Sequence, residues 1–284
     1  MCRLVGYVGQ EPLLLARLLE APENSLIKQS RAAHRGDFSV NADGVGVAWY
    51  DHSVDDTPGL YKSIQPAWSN LNLRHLVHKI KSQCFIGHVR AATVGDVNVQ
   101  NCHPFAYRQM AMAHNGSIRQ FDRVRRALLN QLNDEHFKMI HGNTDSEHFF
   151  ALLTHYLPTK VHHAWTLEHM AEAFVSAVAD VNRWQAELND HNAISKLNVL
   201  FSNGHGLLAT HYVTDQKQDT LSLFYTRGET IAQTLDLRLN KQESACVIVA
   251  SEPLGGSDQD WQAVPINHML LIQPDLTISV KPIQ

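Results

Sequence analysis

Apolar residues recur at every second position, or run unbroken, through "RLVGYVG", "GVGVAWY", "CFIGHVRAAT" and "MAMAHNGSI", all within the first 120 or so residues. Two helical patterns follow. In 145–157, Phe149, Leu152, Leu153, Tyr156 and Leu157 share one face, and in 166–188 Leu167, Met170, Phe174, Val178 and Val181 do the same. Strand patterns return in "LNVLFSNGHGLLATHY", which turns at Asn203 and Gly204, and then in "LSLFYT", "CVIVASEPL" and "HMLLIQPDLTISV". A strand with an apolar face must stack it on another layer. The order strands, helices, strands, with no Pro/Gly-rich linker, therefore predicts one α+β domain over 1–284, made of layered sheets and helices. Within it, "EPLLLARLLEAP" reads as a short amphipathic helix: its apolar run is too short to span a membrane, is broken by Arg17 and follows no cationic segment. "DHSVDDTPGLYK" reads as a polar loop.

Charge and cysteine usage narrow the partners. The 24 Lys and Arg against 28 Asp and Glu leave a formal charge of -4, with no basic block, which argues against nucleic acid or an anionic membrane and for a small molecule. Cysteines at 2, 84, 102 and 246 are spaced neither as CxxC nor as a dense framework, which suits free thiols in a reducing compartment, the cytoplasm. The 18 histidines, including His75 and His78 and the pair His162 and His163, form no HExxH or zinc-finger spacing, so neither a metal nor a cofactor is expected.

The chain opens "MCRLVGYVG". Removal of Met1 would leave Cys2 with a thiol and a free α-amine on neighbouring atoms. An α-amine titrates near pH 7.7–8.0 and a thiol near 8.5, so the amine can take the proton of its own side chain close to neutrality. Covalent amide hydrolysis also needs oxyanion donors and substrate anchors. In "AHNGSI", the Asn115 side-chain amide and the Gly116 backbone N–H could converge on one oxyanion, although Asn-Gly on its own marks a turn. Arg90, ending the apolar strand of "GHVRAAT", is either a fork for a substrate carboxylate or half of a structural salt bridge. Asp145, at the helix start in "NTDSEHFF", is either an N-cap or a partner for a substrate ammonium.

Taken together and in this order, "MCRLVGY", "NADGVGVAWY", "GHVRAATVG", "NCHPF", "AHNGSI" and "NTDSE" resemble the class II glutamine amidotransferases over about the first 150 residues. The resemblance implies the N-terminal nucleophile hydrolase fold, a four-layer αββα sandwich of two mainly antiparallel sheets. It implies Cys2 as nucleophile with its α-amine as base, and Asn115 and Gly116 as the oxyanion hole. It further implies Arg90 on the α-carboxylate of a γ-glutamyl group, Thr93 lining that pocket, and Asp145 on the α-ammonium. His103 takes a supporting place near the pocket, and Asp43 either caps a turn there or reaches the substrate. Arg3 matches the residue after the nucleophile and receives no role. Ala91 and Val94 stand where the family's sugar-phosphate synthases carry Trp and His, which changes the pocket wall but not its charges.

"KLNVLFSNGHGLLATHY", "VIVASEPL" and "WQAVPINHMLLI" extend the resemblance to the family's stand-alone branch, which includes the γ-glutamyl hydrolase of ergothioneine biosynthesis and related glutathione-degrading proteins. The residues beyond Asp145 complete a sandwich and leave no room for an ammonia-using synthase domain. The implied activity is hydrolysis of a γ-glutamyl amide through a thioester on Cys2, the substrate being glutamine or a γ-glutamyl peptide-like compound such as γ-glutamyl hercynylcysteine sulfoxide. The alternatives are a glutaminase subunit that passes ammonia to a separate synthase, a non-catalytic binding module of the same fold, and a papain-like pairing of Cys84 or Cys102 with His103. Homo-oligomerisation stays open.

Overall fold

The computed structural model describes residues 2–34, 40–159, 165–188, 194–215, 221–231 and 245–284. In chain order the elements are β1 (Arg3–Leu14), α1 (Ala16–Leu19), α2 (Leu26–Arg31), β2 (Val45–Trp49), β3 (Gly59–Ser63), α3 (Leu71–Val77), β4 (Lys81–Val89), β5 (Phe105–Tyr107) and β6 (Met110–Ser117). Then come α4 (Phe121–Gln131), α5 (Asp134–Lys138), α6 (Asp145–His155), α7 (Leu167–Glu187), β7 (Lys196–Ser202), β8 (Leu207–Val213), β9 (Phe224–Arg227), β10 (Cys246–Ala250), β11 (Gln262–Ala263), β12 (His268–Ile272) and β13 (Ile278–Pro282). One sheet runs β11-β9-β10-β1-β4-β2-β3 and the other β13-β12-β8-β7-β6-β5, with every neighbouring pair antiparallel.

Alternation along the strands sorts the apolar residues into three layers. Leu4, Ile86, Ala111, Ala113, Leu200, Val247 and Leu270 fill the space between the sheets. Val5, Tyr7, Val45, Phe85 and Ile248 face outward under Leu18, Leu26 and Leu73 of α1–α3. Met110, Met112, Val199 and Phe201 face the other way, under Phe149 and Phe150 of α6 and Phe174 and Val178 of α7. Two sheets between two helical layers make the expected αββα sandwich. Each large side chain fully buried in these layers contributes about 1.5–3 kcal/mol.

Both helices read from the sequence are present, and their caps explain their starts. Thr144 accepts from the Glu147 N–H at 3.2 Å ahead of α6. Ahead of α7, Thr166 accepts from the His169 N–H at 3.3 Å while His169 Nδ1 accepts from the Thr166 N–H at 3.2 Å, a capping box with His in place of Glu or Gln. Two readings are corrected. Glu11–Leu14 of "EPLLLARLLEAP" extends β1, because a bulge between Val8 and Leu13 carries the chain past Pro12 and re-pairs Leu13 with Ser82 and Leu14 with Lys81, leaving only Ala16–Leu19 helical. The end of the expected polar loop, from Gly59 to Lys62, belongs to the edge strand β3, which the chain reaches after two tight Asp-anchored turns at Asp51 and Asp55. His162 and His163 lie outside the described residues.

Candidate active site

Strand parity places the predicted residues. Cys2 continues the face of Leu4, and Asn115 that of Ala111 and Ala113, so both belong to the space between the sheets. Their ends of the two sheets coincide: His88, which pairs with Leu4, lies close enough to His114 for their charges to interact.

The Cys2 Sγ rests on the turn after β4, 3.5 Å from the Ala91 carbonyl oxygen and 3.4 Å from the Ala91 N–H. That turn is held from β2. The Arg90 N–H donates to Gly44 O at 2.8 Å, the Asp43 N–H donates to Arg90 O at 2.9 Å, and the Asp43 carboxylate accepts from the Ala92 N–H at 2.7 Å. Asp43 is thus the turn's cap. Gly46, next along β2, has no room for a side chain, since a Cβ there would lie 2.1 Å from the His103 carbonyl oxygen.

Arg90 is 2% exposed. Its guanidinium donates to Asp96 O at 3.0 Å, Val94 O at 3.0 Å and Gly95 O at 3.3 Å, and it pairs with no carboxylate among the described residues. A buried cation held only by neutral carbonyls keeps its charge for an anion, whereas a salt bridge would have spent it. Asn101 joins this loop to the start of α6, donating to Asp96 O at 2.9 Å and to Asn143 Oδ1 at 2.7 Å. Thr93 lies on the same loop and is exposed.

Asn115 is 1% exposed, and its Oδ1 makes no hydrogen bond among the described residues. Gly116 has φ +148°, and a Cβ there would lie 1.9 Å from Lys196 O, so only glycine fits. Asp145 is the first residue of α6 and not its cap, which is Thr144. The buried carboxylate accepts from the Ile118 N–H at 2.8 Å and from the Ser146 N–H at 2.8 Å. His114, between them, contacts Ser146 Oγ at 2.8 Å and Lys196 O at 3.0 Å.

Burial pushes the Cys2 thiol up, against the Ala91 N–H and the nearby Arg90 and Arg3 cations, so it stays protonated at neutral pH. The papain-like alternative fares worse. Cys84 and Cys102 are fully buried, with Cys84 pushed up to about 12 by burial, and Cys246 is pushed up to about 12 as well. His103 is buried with neither ring nitrogen hydrogen-bonded among the described residues, its ring centroid 4.2 Å from that of His88 with the planes tilted by 44°, and burial holds it well below the usual imidazole range. It packs against the site as a neutral imidazole, whose lowered pKa makes it a poor proton acceptor.

Residues the sequence left silent frame the site. Arg3, pointing away from Cys2 by strand parity, donates from Nε to buried Glu252 at 2.6 Å and from Nη1 to the Cys2 carbonyl at 2.8 Å. Glu252 also accepts from the His34 N–H at 3.0 Å. The pairing spans 249 positions, a separation at which sequence pattern carries no signal. His88 and His114 could have been placed by alternation, since each shares a strand with a residue already singled out. Among the described residues, the His/Asp group close enough to share an ion is the exposed trio His52, Asp56 and His205, past the end of β2 opposite Arg90.

A family model described as class-II glutamine amidotransferases matches residues 12–280. The chain is 35% identical over 303 aligned positions to "Probable glutamine amidotransferase DUG3" of Saccharomyces cerevisiae, covering 100% of this chain and 84% of that protein. It is 27% identical to the γ-glutamyl-hercynylcysteine sulfoxide hydrolase of Mycolicibacterium smegmatis, covering all of both chains. A solved glutamine aminotransferase class-II domain protein from Silicibacter pomeroyi superposes over all of both chains with TM-score 0.69 and 26% identity. The phosphoribosylpyrophosphate amidotransferase of B. subtilis shares the fold at TM-score 0.61 and 17% identity, with this chain spanning 49% of it.

Proposed function

Because this chain belongs to the class-II glutamine amidotransferases, we propose that it hydrolyses a γ-glutamyl amide with Cys2 as its N-terminal nucleophile. After excision of Met1, the α-amine of Cys2 takes the Sγ proton and the thiolate attacks the γ-carbonyl carbon. The oxyanion is met by the Asn115 side-chain N–H and the Gly116 backbone N–H. Collapse breaks the C–N bond, the leaving amine takes the proton back, and water then hydrolyses the thioester to free glutamate and regenerate the thiol. Arg90 takes the α-carboxylate, Asp145 the α-ammonium, and Thr93 borders that pocket. No metal or cofactor enters these steps.

One observation carries the reading. Cys2 is the half-buried thiol, with the others sealed, and it leans on the turn of a buried arginine that pairs with no carboxylate among the described residues. The substrate class is γ-glutamyl amides, and γ-glutamyl hercynylcysteine sulfoxide, which names the mycobacterial relatives, is one member to test. No helix among the described residues is long and apolar enough to cross a membrane. Four free thiols support a cytoplasmic location. The test is a panel of γ-glutamyl amides presented to Met1-free enzyme and to Cys2→Ala. Turnover confined to the parent supports the reading, and turnover by Cys2→Ala sinks it.

A further inference from the structure

Resting on that catalytic reading, we propose that His114 is the positioning residue that sets both halves of the site: through Lys196 it holds the backbone at Gly116, and through Ser146 it keeps the Asp145 carboxylate open for a substrate ammonium. His114 is 1% exposed and shares β6 with Asn115, one residue earlier and on the opposite face, toward α6.

Counting protons fixes the direction of each bond. Lys196 O is a carbonyl and can only accept, so His114 Nε2 carries the hydrogen of their 3.0 Å contact. Burial pushes the imidazole down, against the pull of Asp145, and keeps it neutral. Nδ1 is then a bare acceptor, and the 2.8 Å contact to Ser146 Oγ must use the serine's own hydroxyl proton. Ser146 Oγ also lies 3.3 Å from Asp145 Oδ1, and a hydroxyl has one proton to give. As long as His114 takes that proton, Asp145 is held by two backbone N–H groups alone and keeps lone pairs for a cation. Without His114 as acceptor, the serine hydroxyl turns onto the carboxylate and competes with the ammonium.

The Nε2 side acts on the other half. Lys196 O is the atom that forbids a Cβ at Gly116, and Lys196 pairs with Ser117 in the β6–β7 ladder. A carbonyl fixed by His114 therefore fixes the lie of the Gly116 backbone, on which the oxyanion donor depends.

Two substitutions separate the bonds. In His114→Gln the longer amide reaches the Nε2 position and keeps the Lys196 bond while losing the Ser146 acceptor. In His114→Asn the shorter amide reaches the Nδ1 position and keeps the Ser146 acceptor while losing Lys196. With Met1-free enzyme and a γ-glutamyl anilide, His114→Gln is expected to raise KM about tenfold with kcat within about threefold, and His114→Asn to lower kcat about tenfold with KM near the parent. Adding Ser146→Ala to His114→Gln removes the competing hydroxyl and should bring KM back toward the parent. If the two variants shift KM and kcat in the same sense, or if Ser146→Ala restores nothing, His114 is only a packing residue. Should either variant fail to fold, 15N resonances of the unsubstituted protein still decide. A protonated Nε2 with a bare Nδ1 at His114 is expected, and the reverse tautomer overturns the proposal. Cys2→Ala is the control: activity surviving in it defeats the catalytic reading, whereas an inactive Cys2→Ala beside indistinguishable His114 variants defeats only the role of His114.

Discussion

At the scale of single residues the account turns on a thiol that its surroundings keep protonated. Burial raises Cys2 and the neighbouring Arg90 and Arg3 only partly offset it, so a base must take the proton. A Met1-retained form has an amide nitrogen in place of the α-amine, with no basic lone pair. It should be nearly inactive, which intact-mass measurement beside an activity assay will show, and equal rates for the two forms would remove the amine from the mechanism. Arg90 and Asp145 make a second prediction. Loss of one partner of a buried ionic pair costs about 2–5 kcal/mol, against roughly 0–1 for an exposed pair, so Arg90→Ala and Asp145→Ala should each lower kcat/KM well beyond tenfold. Arg90→Lys should also fail, because a point charge cannot span three carbonyls and a carboxylate. Losses under tenfold for both alanine variants would make these residues structural. The residues proposed for this site come from the resemblance that their motifs carry in order along the chain, since taken singly Arg90 and Asp145 each have a structural reading as well. Asp145 was legible as a helix-start carboxylate, but which residue caps α6 depends on the backbone turn at Thr144.

Elements decide whether those residues meet. Asn115 and Gly116 close β6, and Gly116 lies so near the β7 carbonyl of Lys196 that Gly116→Ala must shift one strand against the other. The expected outcome is a lower Tm together with a fall in kcat, read by thermal unfolding and kinetics on the same sample. An unchanged kcat would separate the backbone at 116 from the oxyanion. The long helices α6 and α7 could be read because their apolar faces are wide. Helix α4 escaped because Phe121, Val124 and Leu128 are a narrow buried stripe among Asp122, Arg123, Arg125 and Arg126. Edge strand β3 escaped because only its β2 side is paired and its side chains are partly exposed, so no alternation is imposed on them.

Contacts between distant parts of the chain close the sandwich around Cys2. Arg3 and Glu252 join the start of β1 to the segment after β10, with both side chains at most 3% exposed. Breaking one side of such a pair costs about 3–5 kcal/mol, so Glu252→Ala should unfold at markedly lower denaturant and also loosen the carbonyl of Cys2. Acid should attack the fold elsewhere. Burial pushes His88 down to about 3 and His148 to about 4, while in the unfolded chain each titrates near 6.5. The unfolded state therefore binds more protons in that window. Stability is full above about pH 6.5 and falls as the pH drops toward 3, a trend that denaturant melts will show and that His148→Gln should weaken. The central claim is that the reaction runs through one terminal thiol. Met1-free protein treated with an electrophilic glutamine analogue and mapped by peptide mass spectrometry should carry the label on Cys2 alone, with activity lost in proportion; label on Cys84, Cys102 or Cys246, or activity that survives full labelling of Cys2, would contradict it.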